Sequence, residues 1–175
     1  MTLDQKIQVW NAVGTWLAGI ATFAAVIVSL HLARKADHVR LQAKAGIRLI
    51  FVGDGSSAEE HVSISAVNKS DRPVTINSIG WRIGKGKGAR HCIQPVYGQH
   101  TDQYPKTLAY GEPATFLVSF KAMPSWLRDF ATKFIQDVQP KNLKTLRAII
   151  NTSVGETIEI VPEGNLLERL REVAG

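Results

Sequence analysis

Trp10-Asn11-Ala12-Val13-Gly14-Thr15-Trp16-Leu17-Ala18-Gly19-Ile20-Ala21-Thr22-Phe23-Ala24-Ala25-Val26-Ile27-Val28-Ser29-Leu30 is the stretch that decides how this chain is organised. It lies inside a longer run, Ile7 to Ala33, that holds no Asp, Glu, Lys or Arg. A helix needs about 20 predominantly apolar residues to cross the hydrocarbon core of a bilayer. The run meets that length and is closed by Arg34-Lys35. It reads as a transmembrane helix over residues 9–33, after a short tail at 1–8. A secretory signal would have a basic start, an apolar core of about 7–15 residues and a small-residue cleavage site. Here Met1 to Lys6 carries one acid and one base, and bases follow the run. The reading is an uncleaved anchor.

The flanks give an orientation. Residues 34–48 hold five bases, Arg34, Lys35, Arg40, Lys44 and Arg48, against Lys6 before the run. Such an excess marks the cytoplasmic side. The expected topology is single-pass in the inner or plasma membrane, N-terminus out, with the C-terminal domain in the cytoplasm. Residues 34–48 net +4 of the chain's +6, so the other residues beyond them carry only +2. The sequence pI of about 9.6 then speaks first for topology and for anionic headgroups near Arg34, Lys35, Arg40 and Lys44. No specific nucleic-acid partner is expected. The single cysteine, Cys92, has no intrachain partner and fits a reducing compartment.

Gly14, Ala18, Ala21, Thr22, Ala25 and Ser29 recur at helical spacing along one side of the run. Small residues let helix backbones approach closely in lipid, which points to self-association. The competing reading is that Ala and Gly are simply common in spans. Trp10 suits the membrane interface, and Trp16 lies deeper.

Past the run, Leu32 to Ala45 has no Gly or Pro and is rich in helix formers. It reads as a basic helical stalk over 34–46, ended by Gly46. From Ile47 the period becomes that of strands. Ile47–Val52, His61–Val67, Val74–Ile83, Ala89–Val96, Thr115–Phe120, Leu146–Asn151 and Thr157–Val161 read as strands, His61–Val67 alternating strictly and Gly80 at an expected bulge. Turn residues separate them, at Asp54-Gly55, Asn68 to Pro73, Gly84 to Gly88, Tyr110 to Pro113 and Val154 to Glu156. Seven short strands argue for a mainly-β, immunoglobulin-like antiparallel sandwich over 47–162. Two amphipathic helices accompany it. One is inserted at 124–138, with Trp126, Leu127, Phe130, Phe134 and Val138 on one face. The other closes the chain at 163–175, with Asn165 as its expected N-cap.

Three segments then carry a resemblance. Val67-Asn-Lys-Ser-Asp-Arg-Pro-Val-Thr-Ile76 is similar to a turn in which Pro stiffens the start of the next strand. Leu108-Ala-Tyr-Gly-Glu112 is similar to a turn leading into a strand, and Leu146 to Glu159 to a closing hairpin. In this order, behind a span, they resemble small bacterial and prophage single-pass membrane proteins with a cytoplasmic immunoglobulin-like domain. Ser70 and Tyr110 depart from the Gly and Pro of that pattern. The resemblance implies architecture and no activity.

Chemistry is sparse. Gly84-Lys-Gly-Lys-Gly-Ala-Arg90 is Gly-rich and basic, so Lys85, Lys87 and Arg90 form a candidate anion site. No Gly-Lys-Ser/Thr opens a helix there, and a plain hairpin tip is the other reading. His91, Cys92, His100 and Asp102 have ligand-type side chains without metal-site spacing. No nucleophile motif or paired-carboxylate motif stands out. The expectation is a non-enzymatic adaptor with no cofactor and no metal. Its partners would be the bilayer, a second copy joined through Gly14, Ala18, Ala21, Ala25 and Ser29, and a cytoplasmic protein. The alternative is a membrane effector, as in phage defence or prophage exclusion, whose domain senses an anionic ligand and whose spans perturb the bilayer.

Overall fold

A computed structural model describes residues 3–52, 57–98, 100–136 and 140–174. Two compact units divide the chain, Met1–His38 and Val39–Gly175. The expected turn at Asp54-Gly55, and Val138 of the inserted helix, lie outside the described residues.

The first unit is one helix, α1 (Leu3–Asp37). Within Leu3–Leu32 an 18-residue window reaches a mean hydropathy of 2.0, and none of that window is buried. Trp10, Trp16, Leu17, Ile20 and Phe23 are all more than half exposed. The two threonines satisfy themselves. Thr15 donates to the Asn11 carbonyl and Thr22 to the Ala18 carbonyl, each at 2.9 Å. This return of hydroxyls to the preceding turn leaves the helix surface without unmet side-chain donors at those positions.

The described residues of the second unit form eight strands: β1 (Leu41–Val52), β2 (Ser57–Asn68), β3 (Val74–Ile83), β4 (Arg90–Ile93), β5 (Lys106–Leu108), β6 (Pro113–Ser119), β7 (Arg147–Thr152) and β8 (Thr157–Ile160). Every ladder is antiparallel. One sheet has the order β1-β2-β6. The other runs β4-β3-β7-β8, with β5 also on β3. Ile64 and Phe116 from the first sheet meet Ile79, Trp81 and Ile150 from the second in a common buried core. The short strand β5 was not legible in the sequence.

The helical stalk expected at 34–46 is not what forms. The helix stops at Asp37, and β1 begins at Leu41. Leu41, Ala43, Ala45 and Ile47 alternate with Gln42, Lys44, Gly46 and Arg48, and that period of two wins over helix propensity. The ladder from Leu41↔Asn68 to Val52↔Ser57 fixes it. Gly46 is therefore no helix stop. A Cβ there would meet the Glu163 Oε2 at 2.6 Å and the Asn165 Oδ1 at 3.0 Å.

That close approach shows how the β1 edge is covered. The Glu163 N–H donates to the Ala45 carbonyl at 2.8 Å. Asn165 accepts from the Ile47 N–H and donates to the Ile47 carbonyl, and Arg48 pairs with Glu163 at 2.6 Å. Asn165 thus clasps a strand edge instead of capping its own helix. On the other side, the Asp102 N–H donates to the Thr115 carbonyl and the Asp102 carboxylate accepts from the Thr115 N–H, covering β6. Covered edges resist unwanted strand pairing.

Asn68 joins two of the turn motifs. It is fully buried. Its side-chain amide donates to the carbonyls of Arg72 and Leu108, and its Oδ1 accepts from the Ser70 N–H. Ser70, where the resemblance expects Gly, has its own use: its hydroxyl accepts from the Arg40 N–H at 2.7 Å.

Among the described residues four helical pieces come after β6, three of them before β7. The expected helix at 124–138 splits into α2 (Trp126–Asp129) and a π-helical turn (Phe130–Ile135). The Gln136 N–H reaches back five residues to the Ala131 carbonyl. That wider turn buries Ala131 and Ile135, which a period of 3.6 does not select. After α3 (Pro140–Leu143) and β7–β8 comes α4 (Gly164–Ala174), which buries Leu166 and Leu170. Gly80 is not a bulge either. The register shift in the β3/β7 ladder falls between Ile76 and Ser78. Gly80 is a close-approach site, where any Cβ would collide with the Cys92 carbonyl.

Candidate interaction groove

Among the described residues β4 is a short outer strand paired only with β3, through Gly80↔Ile93, Trp81↔Cys92, Arg82↔His91 and Ile83↔Arg90. The Gln94 N–H donates to the Ile79 carbonyl at 2.9 Å, which extends this ladder. Hydrogen-bonded and open pairs alternate along an antiparallel ladder. With Gln94–Ile79 a bonded pair, His91 and Ile93 turn their N–H and C=O groups away from β3. Among the described residues nothing pairs with them there. Ile93 is 68% exposed.

Beside this edge lies a groove of about 500 Å³. Ile93 and Pro95 line one side, and Met123, Pro124, Trp126 and Phe130 the other. Its walls are fixed. Trp126 donates its indole N–H to the Gln94 Oε1 at 2.9 Å, tying α2 to the end of β4. The Trp126 ring stacks on Phe130 at 4.7 Å, and Phe130 meets Trp81 edge-on at 5.2 Å. Aromatic pairs of this kind hold a wall rigid. Asp129 is the groove's one carboxylate among its lining residues. Lys133, and then the Ser125 hydroxyl, hold it below the usual carboxylate range. Burial pushes the Cys92 thiol up to about 11, so it is a poor nucleophile.

The anion site expected at Lys85, Lys87 and Arg90 separates. Lys85 and Lys87 stand exposed on a 3-10 turn (Gly86–Gly88) between β3 and β4. Gly84 and Gly86 there have φ of 90° and 60°, which glycine adopts at little cost. Arg90 instead donates to the Ile135 carbonyl at 2.7 Å. The Gly84 N–H donates to the Thr145 hydroxyl, which brings this turn beside Lys144 and Arg147. Of the basic residues near the span, Arg34 and Lys35 fall in α1, with side chains outside what is described. Arg40 and Lys44 are exposed in the second unit, Lys44 on β1. Gly14, Ala18, Ala21, Ala25 and Ser29 are all exposed on α1.

The ligand-type cluster also divides. His91 and Cys92 lie on β4. Asp102 pairs with Lys106 at 2.7 Å and clamps β6. His100 joins His61, Glu59 and Ser119 around a pocket of about 210 Å³. His61 is nearly buried, with its Nδ1 3.1 Å from the Glu59 carbonyl. Lys121 holds Glu59 below the usual range. Among the described residues no three His, Cys, Asp or Glu converge on one point. Sequence reasoning missed both this pocket and the groove, because each joins segments far apart in the chain.

No family model and no curated protein matches the chain. One similar solved structure is described as "X-ray structure of Northeast Structural Genomics Consortium target SoR45". It is 10% identical, with a TM-score of 0.29, over 71% of this chain and 82% of that one. A likeness at that level carries no argument about function.

Proposed function

We propose that this is a single-pass membrane protein that holds a cytoplasmic, immunoglobulin-like sandwich at the bilayer as an interaction module rather than an enzyme. It is of the kind found in small bacterial and prophage membrane proteins. The observation that carries this reading is that α1 holds an 18-residue apolar window of which none is buried. A core helix of the same composition would bury its side chains in protein. A helix with Trp16, Phe23 and Ile20 facing outward in water would be strongly unfavourable, since each large apolar side chain is worth about 1.5–3 kcal/mol on burial. Lipid removes that cost. The five bases at 34–48 support the N-out, C-in orientation. Self-association in the membrane is assigned to the face bearing Gly14, Ala18, Ala21, Ala25 and Ser29.

The test is a pair of reporters fused after Gly175. A reporter active only in the cytoplasm gives signal, and an exported phosphatase gives none. The reverse pattern would overturn the orientation.

A further inference from the structure

The charge of the chain is segregated along its sequence, with Arg82 and Lys121 of the basic segment paired to Glu159 and Glu59 outside it. Residues 82–147 hold eleven Lys and Arg against four Asp and Glu, a net of +7. Residues 49–81 and 148–175 together net −5. The basic segment contains β4, α2 and the whole lining of the groove. Lys85, Lys87 and His91 stand exposed beside the free edge of β4, and Arg128 stands exposed on α2. The Asp129 carboxylate in the groove is already matched by Lys133 at 3.1 Å.

Arg40, where the chain enters the second unit, bonds the turn that precedes β3. The Lys85–Lys87 turn follows the other end of β3, ten residues on. That separates the two by roughly 30 Å along an extended strand.

We infer that the free edge of β4 and the groove beside α2 receive an extended, acidic segment of a partner protein as an added strand. The inference rests on the interaction-module reading and names its partner's chemistry. Strand addition needs unpaired N–H and C=O groups for affinity and pockets for alternate side chains for selectivity. His91 and Ile93 supply the first. Met123, Pro124, Trp126 and Phe130 supply the second, for one or two apolar side chains. The basic surroundings favour carboxylates in the same segment, and steer its approach. A second copy of this chain is the competing occupant of the edge.

Full-length protein in lipid nanodiscs tests this with nine-residue peptides. One alternates Glu with Val and Phe, and a control replaces each Glu by Lys. The acidic peptide should bind, weaken about tenfold between 50 and 500 mM salt, and slow amide hydrogen exchange at His91 and Ile93. Ile93→Pro removes one edge donor at an exposed position, and Lys85→Glu with Lys87→Glu reverses two exposed charges. Each should reduce binding at least about tenfold, with thermal unfolding unchanged. Equal binding of the Lys peptide, absence of binding by the acidic one, or binding that leaves exchange at His91 and Ile93 unchanged overturns the inference. So does a dimer, seen by light scattering, that Ile93→Pro dissolves. Any of these results in a protein that still inserts into membranes leaves the anchored topology standing, whereas loss of insertion sinks the anchor itself.

Discussion

Trp16 and Trp81 are the same side chain in opposite surroundings. Trp16, on α1, is 75% exposed, and Trp81, on β3, is wholly buried against Trp126 and Phe130. The second unit brings its own apolar environment by pairing strands and closing both sheets over one core. The first unit supplies no such environment from its own atoms. The difference shows that apolar content alone does not tell a core from a span. What distinguishes them is whether the elements carry a polar face. β2 does, since Val62, Ile64 and Ala66 face the core while the polar His61, Ser63 and Ser65 lie on the opposite face of the strand. The apolar part of α1 does not, being exposed all round.

The largest expected effect separates these two tryptophans. Trp81→Ala should destabilise the second unit by about 3–5 kcal/mol, the usual loss for a large buried aromatic. Trp16→Ala should leave its unfolding curve unchanged. Denaturant titration of the protein in nanodiscs reads both, and a clear loss for Trp16→Ala would break the comparison.

A smaller effect concerns the turns. Asn68→Ala leaves the carbonyls of Arg72 and Leu108 and the Ser70 N–H without their shared partner. Unsatisfied buried groups cost about 1–3 kcal/mol. The same titration should show that loss. A change under about 0.5 kcal/mol, the range of neutral surface substitutions, would mean that the turn holds without its hub.

The smallest effect is electrostatic. Arg48 holds the Glu163 carboxyl below its ordinary 4.5 in the folded protein. A carboxyl lowered on folding adds stability that is present above its unfolded value. That stability is lost as pH falls through the folded value. Stability should therefore drop below about pH 4.5 in the natural protein, and Glu163→Gln should flatten part of that drop. Both partners are a third or more exposed, so the contribution at neutral pH stays below about 1 kcal/mol. An unchanged acid limb in Glu163→Gln would remove the Arg48 clasp from the account.

Much of this was legible because it is local. The apolar run and the alternating strands β2, β3, β6 and β7 follow from short-range periods. The start of β1 was open to reading too, since Leu41, Ala43, Ala45 and Ile47 alternate, but its Ala, Lys and Gln also favour a helix. Pairing with β2 over twelve positions decided it. The π-helical turn left no sign in a 3.6-residue pattern. The groove was hidden for another reason. Ile93 and Trp126 are 33 positions apart, and nothing in their spacing predicts that Gln94 and Trp126 hold them together. The charge had a related fate: its sum pointed to the segment beside the span, while its distribution pointed to residues 82–147.

Alkaline carbonate extraction of membranes from cells expressing the full-length chain tests the central claim most directly. The account predicts that the protein stays in the membrane pellet with integral proteins, since α1 is held by lipid and not by charge. Release of the chain, folded, into the supernatant would contradict it.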